Sequence, residues 1–213
     1  ITFYIMKKII TCLLISSTLF ISCKKETSQA KEISTEKKIT YTIDANASEV
    51  HWTAYKTTAK KAVKGVFTKL NLTNAKSSTT KLGIFENLEF NIPVTSFFSK
   101  DETRDTKIKA LFFGIMDNTS LINGTFSDVT GNETKGTMTL NLTMNNETVG
   151  VPMTYSTEKN IISINGNIAN LMDWKLEKAF NSLHKACELL HTGEDGVSKT
   201  WEDVAISAIV VLK

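Results

Sequence analysis

From Val50 to the end of the chain, apolar and polar residues alternate one by one over short segments. Val50-His51-Trp52-Thr53-Ala54 and Leu88-Glu89-Phe90-Asn91-Ile92 show it, and Met138-Thr139-Leu140-Asn141-Leu142-Thr143-Met144 shows it most clearly. There Met138, Leu140, Leu142 and Met144 share one face, and every residue between them is Thr or Asn. Ile162-Ser163-Ile164-Asn165 and Val204-Ala205-Ile206-Ser207-Ala208 repeat the pattern. A strand turns successive side chains to opposite faces, so this period of two predicts antiparallel strands with one dry and one wet face. Thr130-Gly131-Asn132 and Met144-Asn145-Asn146 supply turn signals between them. The class is therefore all-β, a sandwich or a barrel, and a barrel best removes exposed strand edges.

Two stretches break this texture. Asp101 to Phe113 reads as a helix started by Asp101 or Thr103, with Ile108, Leu111 and Phe112 on its apolar face and Gly114 as its stop. In the second, Asp173 is the expected N-cap. Leu176, Ala179, Phe180, Leu183, Cys187 and Leu190 then recur at helical spacing up to Gly193. This predicts one amphipathic helix of about five turns, packed on the barrel and covering one opening.

The N-terminal texture is different again. Met6-Lys7-Lys8 is a short positive segment, Ile9 to Ile21 is apolar and uncharged, and Lys24-Lys25-Glu26 restores polarity. The apolar run is too short to span a bilayer core of ~30 Å, so residues 1–22 are expected to be a secretory signal peptide whose true start is Met6. Ser22 directly before Cys23 resembles the lipobox of bacterial lipoproteins, which implies that Cys23 is a lipid attachment site. Residues 23–38 are nearly devoid of apolar side chains and read as a disordered tether, with one folded domain over residues 39–213. The expected location is the periplasm or cell envelope, with a membrane contact through the lipid anchor.

The chain has three cysteines and a net charge of +3. With Cys12 in the signal peptide and Cys23 acylated, Cys187 is the one thiol left in the folded domain, so no internal disulfide forms. Lys56, Lys60, Lys61 and Lys64 are interrupted by other residues and read as a solvated loop, so no basic block suits nucleic acid. Asn-x-Ser/Thr triplets at Asn71, Asn123, Asn141 and Asn146 fit the wet faces of strands.

The inward set defines the candidate site: Trp52, Phe67, Phe90, Ile92, Phe126, Met138, Leu140, Leu142, Met144, Ile164 and Ile206. These side chains line a pocket for an apolar or amphiphilic small molecule, or they fill the interior as a packed core. Arg104 is the one arginine of the chain, and its bidentate guanidinium fits either a structural carboxylate partner such as Asp105 or a ligand head group. His184, Cys187 and His191 share a helical stripe with spacing that suits a metal, but Leu183 and Leu190 share it too. A buried cysteine flanked by half-exposed histidines is the preferred reading, and no metal or other cofactor is expected. No nucleophile elbow, phosphate loop or zinc-protease motif is present, so an enzyme is not expected. Glu194-Asp195-Gly196 lacks the calcium-loop frame and reads as a turn.

Several ordered segments together resemble the YceI-like family of bacterial periplasmic proteins. They are Tyr41-Thr42-Ile43-Asp44 with Ser48-Glu49-Val50, Gly65-Val66-Phe67, and Phe90-Asn91-Ile92-Pro93-Val94 followed by Ser96, Arg104-Asp105 and Phe112-Phe113. Lys135-Gly136-Thr137-Met138-Thr139-Leu140 completes the series. Ala47 stands where many members have histidine, and residues 173–201 replace the family's short Asn-Arg-x-x-Phe-Gly segment. The resemblance implies a lipocalin-like antiparallel barrel around a long pocket for an amphiphile such as a polyisoprenoid, an isoprenoid quinone or a fatty acid amide, without catalytic residues. The alternative is a non-enzymatic interaction protein of the envelope, with a side-chain-filled barrel and an envelope protein partner.

Overall fold

The structure, a computed structural model, describes residues 38–118 and 120–213. The expected signal peptide, Cys23 and all of the tether before Lys38 lie outside the described residues. Ten strands form one antiparallel sheet in the order β3-β4-β6-β7-β8-β9-β10-β1-β2-β5. Their ranges are β1 Glu49–Lys56, β2 Lys61–Phe67, β3 Asn71–Thr73, β4 Glu89–Pro93, β5 Phe97–Phe98, β6 Leu121–Gly131, β7 Lys135–Met144, β8 Glu147–Glu158, β9 Ile161–Ile168 and β10 Val204–Val211.

The two ends of that order are joined by the chain itself. Residues 68–70 link β2 to β3, and residues 94–96 link β4 to β5. β2 pairs with β5 through Phe67 and Phe97, while β3 pairs with β4 through Asn71 and Asn91. Two bent strands thus pair with each other along both halves, and the sheet curls round on itself. At the corner Thr68 N donates to the Ser96 carbonyl at 2.9 Å. The result is the antiparallel all-β sheet expected from the alternation, in the lipocalin-like architecture that the resemblance implies.

Alternation places the core as expected. Along β7, Met138, Leu140, Leu142 and Met144 are buried, while the Thr and Asn between them are not. β7 meets β8 through Asn145 and Asn146, both at positive φ (50° and 62°), as a two-residue hairpin of this hand requires. The lysines read as a loop instead belong to the β1–β2 hairpin: Lys56, Lys61 and Lys64 lie within strands. Lys56 and Lys61 face each other across the hairpin, while Lys64, three residues on, stands on the opposite face of β2. Residues Lys38–Lys213 form one compact unit with its own core, so this unit carries what it needs to fold.

Two excursions from the sheet carry the helices. Between β5 and β6 lies α1, Glu102–Leu111, with the Asp101 side chain capping Arg104 N at 3.0 Å. Asp105 on α1 is buried, and its carboxylate accepts from Ser99 N at 3.0 Å and Ser99 Oγ at 2.5 Å, fixing the helix to the end of β5. Asp105→Ala should therefore cost about 1–3 kcal/mol, read from the urea midpoint, because two donors lose their acceptor in a dry site. A loss near zero would show that water replaces the carboxylate.

The excursion between β9 and β10 corrects the second helix. It is a 3₁₀ turn at Leu171–Trp174, α2 at Glu177–Ala186 and a short α3 at Glu188–His191. Asn170, not Asp173, caps the first turn by accepting from Met172 N at 3.0 Å. Lys175 then enters the left-handed region at φ 56°, which ends the turn and re-aims the chain. A second break at Cys187 (φ −115°) separates α3, so Leu190 leaves the buried stripe and is exposed. Trp174 is buried and donates its indole N–H to the Leu142 carbonyl at 2.9 Å, holding the start of the excursion to β7.

Candidate ligand cavity

The barrel is not filled by its own side chains. A cavity of about 230 Å³ remains inside, bounded by β-strand residues and by Ile108 and Phe112 around α1 and Phe180 and Leu183 on α2. Apolar cavities of ~150 Å³ already bind small hydrocarbons, so this volume is of ligand-binding size. Trp52, Phe67, Phe90, Ile92, Phe126, Leu140, Leu142, Met144, Ile164 and Ile206 all line it. Met138 does not: it is buried in the core, while Met153, its partner across on β8, lines the cavity. Alternation fixes the face, not which member of a cross-strand pair reaches the lumen.

Cross-strand pairing explains why the largest inward side chains leave this space free. Trp52 pairs with Gly65, and a Cβ built on Gly65 would lie 2.2 Å from the indole Cζ2. The ring therefore folds down over the glycine, with Phe97 stacked on it at 4.6 Å between centroids. Phe90 does the same over its partner Gly124, where a Cβ would lie 2.2 Å from the ring Cζ. Both aromatics lie against the wall and not across the lumen. Trp52 Nε1 is buried without a hydrogen-bond partner among the described residues, a cost accepted for this wedged position.

Polar groups gather at the end of the cavity reached by α2. Thr200 lines the cavity, and its Oγ1 lies 2.8 Å from His184 Nδ1 and 2.6 Å from His191 Nδ1. Trp201, also in the lining, donates its indole N–H to the Thr57 carbonyl at 2.8 Å, and Lys60 lies over its ring at 4.6 Å while pairing with Asp203. Lys56 Nζ donates to the Leu190 carbonyl at 3.0 Å. The histidines thus meet through Thr200, while Cys187 is buried; no cluster of His, Cys, Asp or Glu suited to a metal occurs among the described residues.

Burial, then the nearby Lys56 charge and His184, hold the His191 pKa down from 6.5 to about 4. Between these values the unfolded chain carries the His191 proton and the folded chain does not, so stability falls as pH falls through that window. The wild-type melting temperature should drop more steeply between pH 6.5 and 4 than that of His191→Asn. Parallel curves would refute the buried, uncharged imidazole.

Arg104 stands apart from the cavity. Its guanidinium meets Asp101 at 3.2 Å and Ser99 Oγ at 3.3 Å, on the same short segment that Asp105 secures. Glu194-Asp195-Gly196 is a turn, with Gly196 at φ 75°. Strand alternation does not mark the lining contributed by Phe97, Phe113 and Trp201, whereas Phe180 and Leu183 lie on the apolar face that helical spacing marked. Val50, Ala54 and Ala208 share the parity of named neighbours and were legible by it.

A model of the YceI-like domain matches residues 41–207. The chain belongs to the YceI-like family. Among solved structures, this YceI-like protein is similar in fold to a polyisoprenoid binding domain from Saccharophagus degradans implicated in plant cell wall breakdown. The two are 14% identical, the match covers 81% of this chain and 97% of that one, and the TM-score is 0.56. It is also similar to BcnA of Burkholderia cenocepacia, at 17% identity over 80% of this chain and 99% of that one, with a TM-score of 0.50. No curated protein is significantly similar in sequence. The YceI-like family is one of binding proteins, and the cavity lies where a barrel of this kind would hold a ligand.

Proposed function

We propose that this protein binds or sequesters an amphiphilic, isoprenoid-like lipid in the barrel interior while an acyl chain on Cys23 holds it at the cell envelope. The observation that carries the reading is the apolar cavity, kept open by glycines beneath Trp52 and Phe90 and covered by α1 and α2. Burying an apolar chain there gains ~0.8 kcal/mol per methylene, with no chemical step required. Family membership and the fold shared with a polyisoprenoid binding domain support the ligand class. In this reading the action is passive, which the almost wholly apolar lining supports.

The anchor adds to the function by raising the local concentration of a membrane-borne ligand. Native mass spectrometry of the domain from Lys24 onward, with solvent extraction, tests the reading: a stoichiometric apolar molecule should be recovered. A domain that stays empty when offered prenyl lipids would sink it. Cys23→Ser should leave this binding intact and move the protein from the membrane to the soluble fraction. Unchanged membrane association would remove the anchor from the proposal.

A further inference from the structure

We propose that Thr200, flanked by His184 and His191, receives an uncharged oxygen head group of the ligand at the α2 end of the cavity. The inference rests on the lipid-binding reading above and specifies its polar end. Three polar residues border the cavity: His51, Thr200 and Ser207. His51 and Ser207 pair with each other one residue out of step with the inward pair Trp52 and Ile206, so they stand at outward positions of β1 and β10. Thr200 is therefore the polar side chain available to a molecule inside.

The hydrogen-bond arithmetic at Thr200 leaves room for one more partner. Its Oγ1 lies within hydrogen-bond distance of two ring nitrogens, 2.8 Å from His184 Nδ1 and 2.6 Å from His191 Nδ1. One hydroxyl hydrogen cannot satisfy both, so at least one ring donates its Nδ1–H to the oxygen. If the other ring accepts the hydroxyl hydrogen, one lone pair remains and takes a ligand O–H. If both rings donate, the hydroxyl hydrogen remains and is given to a ligand carbonyl or ether oxygen. An alcohol or a phenol is served by either arrangement, and a quinone-type oxygen by the second.

Among the described residues, no lysine or arginine borders the cavity to pair with an anion. Lys60 pairs with Asp203 and Lys199 with Glu202, while Lys56 holds the neutral Leu190 carbonyl and keeps its charge outside the lining. His191 is held uncharged at neutral pH by its surroundings. A phosphate or carboxylate entering beside Phe180 and Leu183 would lose its water without a direct ion pair, because no described lysine or arginine lines the cavity. All three members of the cluster come from the excursion between β9 and β10, so the head-group preference belongs to that insertion while the tail site belongs to the barrel.

The test uses the domain from Lys24 onward at pH 7.5, with affinity read from quenching of cavity tryptophan fluorescence. The probes are geraniol, geranic acid and the hydrocarbon of the same skeleton. Geraniol should bind about five-fold tighter than the hydrocarbon, the gain of one neutral hydrogen bond, and geranic acid weaker than both. Thr200→Val keeps the volume and should bring geraniol down to the hydrocarbon's affinity, while Thr200→Ser should retain the preference. A packing role would give the reverse order, with Val tolerated and Ser impaired. Equal binding of geraniol by wild type and Thr200→Val, or a preference for geranic acid, overturns the proposal while hydrocarbon binding leaves the lipid-binding reading standing. Failure of all three probes to bind overturns both.

Discussion

Leu140→Trp is expected to abolish ligand uptake while leaving the barrel folded. Leu140 sits mid-strand on β7, buried and facing the cavity, between Phe126 on β6 and Val151 on β8. An indole there must project into the lumen, since both flanking positions are occupied. It would fill much of a space of about 230 Å³ and displace the ligand's tail. Because free volume receives the ring, the stability loss should stay below about 1 kcal/mol, whereas overpacking a filled core costs ~1–3 kcal/mol. Binding of a prenyl probe should fall by more than ten-fold, with the urea midpoint nearly unchanged. A large midpoint shift with retained binding would mean that the interior is packed and the ligand sits elsewhere.

The second large effect separates two glycines that look alike in sequence. A Cβ on Gly65 would lie 2.2 Å from Trp52 Cζ2 and 2.5 Å from the Phe98 carbonyl oxygen. The indole cannot retreat, because Phe97 is stacked on it at 4.6 Å, and the carbonyl belongs to the backbone of β5. Gly65→Ala should therefore cost folding stability, on the order of 3 kcal/mol, the upper part of the overpacking range. The three atoms nearest a Cβ on Gly124 all belong to the Phe90 ring, at 2.2, 2.6 and 2.9 Å. That ring has the lumen to swing into, so Gly124→Ala should be milder on stability and harsher on binding. Adding Phe90→Leu should then restore capacity to Gly124→Ala but not stability to Gly65→Ala. Equal behaviour of the two variants in both assays would show that neither aromatic is being held off the lumen by its glycine.

Particular residues show how far the sequence reaches. On β7, strict alternation with Thr and Asn made the inward face readable, and Ile164 and Ile206 followed from the same period on β9 and β10. Met138 shares that parity yet misses the cavity, because parity says which face and not which of a cross-strand pair, here Met153, reaches the lumen. The break at Lys175 was hidden for another reason: lysine carries no preference for the left-handed region it occupies at φ 56°, and tertiary contacts impose it. His184 and His191 were visible as a stripe, but their meeting point, Thr200, lies beyond the turn at residues 193–197. No local spacing predicts a contact made by the chain folding back. Arg104 stood out by rarity alone, and rarity does not encode whether its partner is a ligand or, as here, Asp101 and Ser99.

The excursion over the cavity is fastened at both ends. At its start, Asn145 in the β7–β8 hairpin donates to the Trp174 carbonyl at 2.9 Å and the Lys175 carbonyl at 3.0 Å, beside the Trp174 bond to Leu142. At its finish, Lys56 holds the Leu190 carbonyl, and Trp201 holds Thr57. Phe180 and Leu183 lie between these fastenings, directly over the lumen. If a ligand binds beneath them as proposed, its departure requires one of these fastenings to let go, so release is slowed by the fastenings as well as by the fit of the tail.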